Sequence, residues 1–147
     1  MAVGTRTDPL LAHAFAVEID GVIVAGFAEV SGIGVELETF DYREGGVNDM
    51  LHRLPGPARS PSNLVLRRGL AASDVLWRWQ DDAARGRVTR RNGAIVVLEH
   101  GREAVRFSFT GAYPVRWTGP ELRAGSAVTA LESLEIAHRG LRRETTR

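Results

Sequence analysis

Neither cysteine nor lysine occurs in this sequence. Without cysteine there are no disulfides, no thiolate metal sites and no cysteine nucleophile. Without lysine there is no phosphate-binding loop of the Gly-Lys-Ser/Thr kind and no Schiff-base catalysis. Arginine, which supplies all 19 basic charges, does not give up its proton. No apolar run approaches the ~18 residues that cross a bilayer, so the lone chain is not expected to insert in a membrane. The segment from Met1 to Pro9 lacks the apolar centre of a secretory signal, and the lack of cysteine fits an expectation of cytoplasmic synthesis. An excess of one charge sign is missing too. The formal charge is +1, and arginines alternate with acids at Arg43-Glu44, Arg102-Glu103 and Arg142-Arg143-Glu144. Nothing resembles the basic stripe of a specific nucleic-acid binder.

Catalytic patterns are equally scarce. His13, His52, His100 and His138 stand far apart, with no acidic or histidine neighbour at metal-site spacing. There is no Gly-x-Ser-x-Gly elbow. Gly32-Ile33-Gly34 lacks the third glycine of a dinucleotide site, and Asp81-Asp82 reads as the solvated face of a helix. No catalytic residue, cofactor or metal is therefore expected.

What the sequence does contain is alternation. Phe15, Val17 and Ile19 share one side of a strand, with Glu18 and Asp20 on the other, and Asp20-Gly21 is a two-residue hairpin signal. Val22 to Val30 reads as the return strand, with Gly26 as a bulge or close approach. After Gly32 and Gly34, Val35, Leu37 and Thr39 alternate with Glu36, Glu38 and Phe40. Residues 63–68 give another strand. A helix is predicted over 73–86, with Ser73 as cap, Asp74 at its positive end, and Ala72, Val75, Leu76, Trp79 and Ala83 on one apolar face. Gly86 ends it. Trp77 falls off that face, as a rim residue or as an anchor for a partner.

Residues 87–91 and 94–99 read as a second hairpin about Asn92-Gly93, followed by a tight turn at Glu99-His100-Gly101-Arg102. Residues 104–117 alternate at length, with Pro114 marking an edge or a bend. Residues 127–138 suit a helix or a strand. Strand is preferred, because the sheet needs a partner there and a bulge near Ser133 would restore the parity. The expected fold is mainly β, with two packed antiparallel sheets (a β-sandwich or open barrel) and one α-helix. It occupies residues 1–147 as a single domain with an N-terminal arm over 1–12.

Residues 44–61 show no clear period and read as a long loop. Loops beyond about 12–15 residues are uncommon unless functional. This one combines hinge-like Gly45-Gly46 and Pro55-Gly56 with Met50, Leu51 and Leu54, apolar groups suited to docking. From these residues alone the loop either folds back over its own core or docks on a neighbour. Ordering it costs roughly 1–2 kcal/mol per residue in backbone entropy, so the preferred expectation is that it orders only between subunits.

Several short motifs occur together and in order. They are Phe15-x-Val17-Glu18-Ile19-Asp20-Gly21, Ala25-Gly26-Phe27-x-Glu29-Val30-Ser31-Gly32, and Tyr42-Arg43-Glu44-Gly45-Gly46-x-Asn48-Asp49. They continue with Arg53-Leu54-Pro55-Gly56, Leu66-Arg67-Arg68-Gly69, Leu76-Trp77-x-Trp79, Arg90-Arg91-Asn92-Gly93 and Leu134-Glu135-Ile136-Ala137-His138-Arg139-Gly140-Leu141. In this order the chain resembles the tail tube proteins of contractile phages and of the injection systems related to them.

The resemblance implies a structural inner-tube subunit that forms a hexameric ring around a continuous β-barrel lumen. Rings would stack into a tube driven by sheath contraction. The implied partners are further copies of the chain, a contractile sheath protein, baseplate and hub proteins, and a possible protein cargo. A second tube subunit, which starts the tube at the baseplate, is the alternative within the family. A monomeric β-sandwich that binds a small ligand is the alternative outside it. Tyr42, Arg43, Glu44, Gly45, Gly46, Asn48, Asp49, Met50, Leu51, Arg53, Leu54 and Pro55 would reach neighbouring subunits. Glu36, Glu38, Arg106 and Ser108 are the candidates for facing the lumen.

Overall fold

The structure, a computed structural model, describes residues 14–24, 26–43, 45, 51–70 and 73–145. The expected arm over 1–12 lies outside the described residues, as do Ala72 and the loop positions Glu44, Gly46, Asn48, Asp49 and Met50. In chain order the elements are β1 (Phe15–Ile19), β2 (Val22–Val24), β3 (Phe27–Ser31), β4 (Val35–Tyr42), β5 (His52–Pro61), β6 (Leu64–Gly69), α1 (Val75–Ala84), β7 (Arg91–Glu99), β8 (Arg102–Thr118), β9 (Leu131–Ala137) and β10 (Gly140–Thr145). Among the described residues the architecture is mainly β with two sheet layers and one helix, as the alternation predicts.

Strand β8 organises the body. Its first part pairs with β7 on one side and β10 on the other; from Tyr113 onward it pairs with β9. Gly111, at a φ of 60°, and a register shift between Pro114 and Arg116 let one strand pass from layer to layer. The first layer runs β2-β1-β7-β8-β10 and the second β8-β9-β6-β3. Among the described residues every pairing is antiparallel.

The inward faces meet in one core. Val17, Ile19, Ile95 and Phe109 come from the first layer, and Leu64, Leu66, Leu134 and Ile136 from the second. Leu76 and Trp79 of α1 close it. Full burial of each such side chain contributes about 1.5–3 kcal/mol. The Trp79 indole Nε1 donates to the Thr89 carbonyl at 3.0 Å, which satisfies its polar edge.

One charged cluster sits inside. Arg68 and Glu132 are cross-strand partners on β6 and β9, 5% and 2% exposed, with Nε 2.5 Å from Oε1. Trp117 donates to the other carboxylate oxygen at 3.1 Å, and Arg68 also donates to the Ser73 carbonyl. Both carboxylate oxygens thus have a donor, and the guanidinium is held at two nitrogens, which is how buried charge is tolerated.

Several sequence expectations need correction. Asn92-Gly93 is not a turn; it lies inside β7, whose partner across the body is β8. Glycine is required there by proximity. A Cβ on Gly93 would come within 2.3 Å of the Glu18 carbonyl oxygen and 2.5 Å of the Phe109 ring. Asn92 ties three segments: its carbonyl accepts from Asp20 N and its side-chain oxygen from Gly111 N. The turns at Asp20-Gly21 and His100-Gly101 form as expected, with positive φ at all four residues.

The span 22–30 is two strands in different layers, separated at Gly26 with φ 87°. Ser73 does not cap α1. Asp74 is the residue before the first turn, makes no capping bond, and instead holds Arg78 at 3.0 Å. Val75, placed on the apolar face, is half-exposed, while Leu76 and Trp79 are buried. Residues 131–137 form a strand, but the irregularity opposite them lies on β8 rather than near Ser133. The largest change concerns 44–61, whose second half is strand β5 paired with β4 inside the same chain. That half therefore has a strand partner within its own subunit.

Candidate assembly surfaces

Strands β3–β4 and β5–β6 form one long two-stranded ribbon. Its inner half, β3 with β6, belongs to the second layer; its outer half, β4 with β5, projects from the body. The break falls at residues 32–34 and 62–63, and it is tightly held. Ser62 N donates to the Gly34 carbonyl at 3.2 Å. Buried His138 makes a 2.8 Å bond from Nε2 to the Ser62 carbonyl; a carbonyl only accepts, so Nε2 carries the proton. Gly32, at φ 86°, passes so close to Asn63 that a Cβ would lie 2.0 Å from its carbonyl oxygen. Asn63 in turn donates to Glu135 at 3.0 Å.

Beyond that junction every residue of β4 is exposed. Phe40 lies opposite Leu54, Tyr42 opposite His52, and Asp41 opposite Arg53, with charges 3.7 Å apart. Gly56 packs against the Glu38 backbone at a bulge. Of the positions expected to reach neighbouring subunits, Tyr42, Arg43, Gly45, Leu51, Arg53, Leu54 and Pro55 are described. Tyr42, Leu51 and Leu54 carry exposed apolar groups. Phe40, Val35 and Leu37 were not assigned to that set but are exposed on the same ribbon. Their alternation was visible in the sequence; that neither face would be covered was not.

The candidate lumen residues fall on two separate elements. Glu36 and Glu38 ride on the projecting ribbon. Arg106 and Ser108 lie on the outward face of the first layer, the side opposite Ile95 and Phe107. Arg106 bonds to Glu103, and to Glu18 at 2.8 Å. The Glu103 bond, then the Glu18 bond and both charges, outweigh desolvation and raise its pKa above the ordinary value, so it remains a cation.

A different face has the character of a polar lining. On the second layer, Leu64, Leu66, Leu134 and Ile136 point inward, and Glu29, Val65, Arg67, Ser133, Glu135 and Arg116 point outward. Glu29 holds Arg67 at 3.2 Å, and Arg116 is the cross-strand partner of Glu135. Among the described residues, this layer has two unpaired edges: β3 on one side and Tyr113–Thr118 of β8 on the other.

At the end of the layer away from the ribbon, residues 119–130 connect β8 to β9 and turn at Gly125, φ 77°. Leu122 and Val128 in this loop are 77% and 80% exposed. They flank a recess of about 360 Å³ lined also by Glu121, Arg123, Ser126 and Ala130. Among the described residues, no group of three or more His, Asp or Glu could hold a metal ion.

Residues 11–142 match the family described as T4-like virus tail tube protein gp19. The chain belongs to that family. No curated protein matches it in sequence. Among solved structures, a chain in the sixfold-symmetrised cryo-EM structure of the anti-feeding prophage baseplate is 26% identical over 95% of this chain and 98% of that one, with a TM-score of 0.84. A chain of the extended sheath–tube complex of the PVC extracellular contractile injection system is 20% identical over 94% and 93%, also with a TM-score of 0.84. A chain of the anti-feeding prophage tube-terminating cap is 23% identical over 99% and 95%, at 0.85. As a tail tube protein the chain has a structural role: it is a tube subunit and not an enzyme.

Proposed function

We propose that this tail tube protein is the inner-tube subunit of a contractile phage tail-like injection system. Six copies close through the edges of the second layer into a ring with a continuous β-barrel bore. One observation carries this reading: a four-stranded antiparallel layer with a polar outer face and, among the described residues, both edges open. Counting across β3, β6, β9 and β8, the two edge strands run in opposite directions. Rotation about an axis along the strands preserves direction, so β8 of one copy meets β3 of the next antiparallel, and the alternation closes around a ring. The sixfold symmetry of the 26% identical relative supports six as the number.

In such a ring the outward face of the second layer, with Glu29, Arg67, Ser133, Glu135 and Arg116, lines the bore. Arg106 and Ser108 then face away from it, and Glu36 and Glu38 lie beyond the wall on the ribbon. Helix α1 turns outward its charges, paired as Arg78–Asp74, Arg85–Asp81 and Arg87–Asp82, towards the position a sheath would occupy. The ribbon reaches the next ring of a stack assembled in the cytoplasm, and protein cargo has the bore available. A baseplate relative at 26% identity also favours a second reading, in which the chain starts the tube at the baseplate.

Native mass spectrometry and negative-stain imaging of the purified chain test both. Hexamers and open-ended tubes are expected. Rings that never elongate alone would favour the initiator, and a monomer at every concentration would overturn the assembly.

A further inference from the structure

We infer that the recess flanked by Leu122 and Val128 receives the β4–β5 ribbon of a second copy in the next ring, with Phe40 and Leu54 as the inserted groups. The inference rests on the tube reading and identifies the contact that stacks the rings.

Three observations carry it. The first is position. Strand β6 runs from Leu64, beside the ribbon junction, to Gly69, beside Leu131 where the 119–130 loop ends. Donor and receiver therefore sit at opposite ends of the same layer, along the strand direction. A contact between unlike ends of identical chains repeats without closing, and so builds a filament. The second is chemistry. Leu122 and Val128 are the two most exposed large apolar side chains among the described residues. Phe40 and Leu54 are a cross-strand apolar pair that the subunit leaves uncovered. Each end holds what the other lacks: a knob on the ribbon, and an open recess of about 360 Å³ with room for a phenyl ring on the loop. The third is charge. Asp41–Arg53 borders the knob, and Glu121–Arg123, at 2.8 Å, borders the recess. Each rim carries one acid and one arginine, so opposite charges can face each other across the contact.

The absence of native cysteine makes the test direct. Phe40→Cys and Leu122→Cys are made in separate chains, mixed, assembled and oxidised. A mixture of Phe40→Cys with Ile23→Cys, at an exposed site on β2, is the control. Disulfide-linked dimers are expected in the first mixture and not in the second. If wild type forms tubes but the Phe40/Leu122 mixture does not link, or the control links equally well, the receiver lies elsewhere while the tube reading stands. If wild type forms no tubes, both fail together.

The variant Leu122→Ser/Val128→Ser provides the second arm. Circular dichroism should show an unchanged fold, because both side chains are already solvated, and imaging should show rings without stacks. Tubes of wild-type length would overturn the inference.

Discussion

Strands β6 and β4 lie on the same two-stranded ribbon, both alternate, and they meet opposite fates. In β6 the even positions Leu64 and Leu66 are fully buried, and Arg68 is buried through its pair with Glu132. In β4 every position is exposed, although Val35, Leu37 and Phe40 are as apolar as anything in β6. Alternation says that a strand exists; it does not say which chain covers its face. Apolar groups on a strand that its own subunit leaves bare are material for association. The body is held by what β6 does, and assembly draws on what β4 leaves undone.

The sharpest way to press that contrast is inside the body. Glu132→Ala strips Arg68 and Trp117 of their shared acceptor and leaves a buried cation. A loss of about 3–5 kcal/mol is expected in urea denaturation. A double change, Arg68→Met with Glu132→Leu, should cost much less, because no charge is then stranded. If the double variant is as unstable as the single one, packing rather than charge sets the cost.

The helix offers the same contrast within two residues. Trp79 is buried, donates to Thr89 and packs in the core. Trp79→Ala should therefore cost about 3–5 kcal/mol. Trp77 is 45% exposed and touches Trp117 edge-to-face at 4.9 Å. Such a pair is worth about 0.5–1.5 kcal/mol, and Trp77→Ala should lose no more than that. Equal drops in the two melting curves would break the assignment of faces.

These residues also show how far the sequence could be read. The helical spacing of Leu76 and Trp79 against Trp77 was legible because one helix has one buried stripe. The β1 hairpin was legible because Asp-Gly carries its own turn geometry. Residues 52–61 were not, because Pro55, Gly56, Pro57 and Pro61 look like a loop. Proline can sit in a strand whose edge faces solvent, and a projecting ribbon supplies that edge. Asn92-Gly93 misled for a related reason: the same dipeptide that makes a turn also fits where strands crowd, and only the nearness of Glu18 and Phe109 decides. Strand β10 was not separated from the segment before it. The polar face of the second layer was invisible as a surface, since its residues come from β3, β6, β8 and β9, and only pairing brings them together.

A smaller effect on the subunit, with a large one on assembly, is expected from removing the ribbon. Gly34 and Ser62 are already hydrogen-bonded across its base. Replacing residues 36–60 with an Asn-Gly turn should keep the junction, including the His138 bond to Ser62. Changes in closure entropy are slight, about 0.6 kcal/mol per doubling of loop length. The shortened chain should melt within a few degrees of wild type and give no tubes under imaging. Cooperative unfolding lost on excision would show that the ribbon supports the body after all.

The smallest effect should come from charge on the ribbon. Glu36 and Glu38 are exposed, and neither takes part in an ion pair among the described residues. Glu36→Arg with Glu38→Arg shifts the net charge of each copy by four towards positive. Exposed charges contribute at most about 1 kcal/mol each, and usually less. Subunit stability in urea should therefore stay within about 1 kcal/mol of wild type. Any effect on assembly should be electrostatic: tubes weakened by this change at low ionic strength should recover when salt shortens the screening length to about 8 Å. A large loss of subunit stability would mean that these side chains pack on the body, and β4 would no longer stand in contrast to β6.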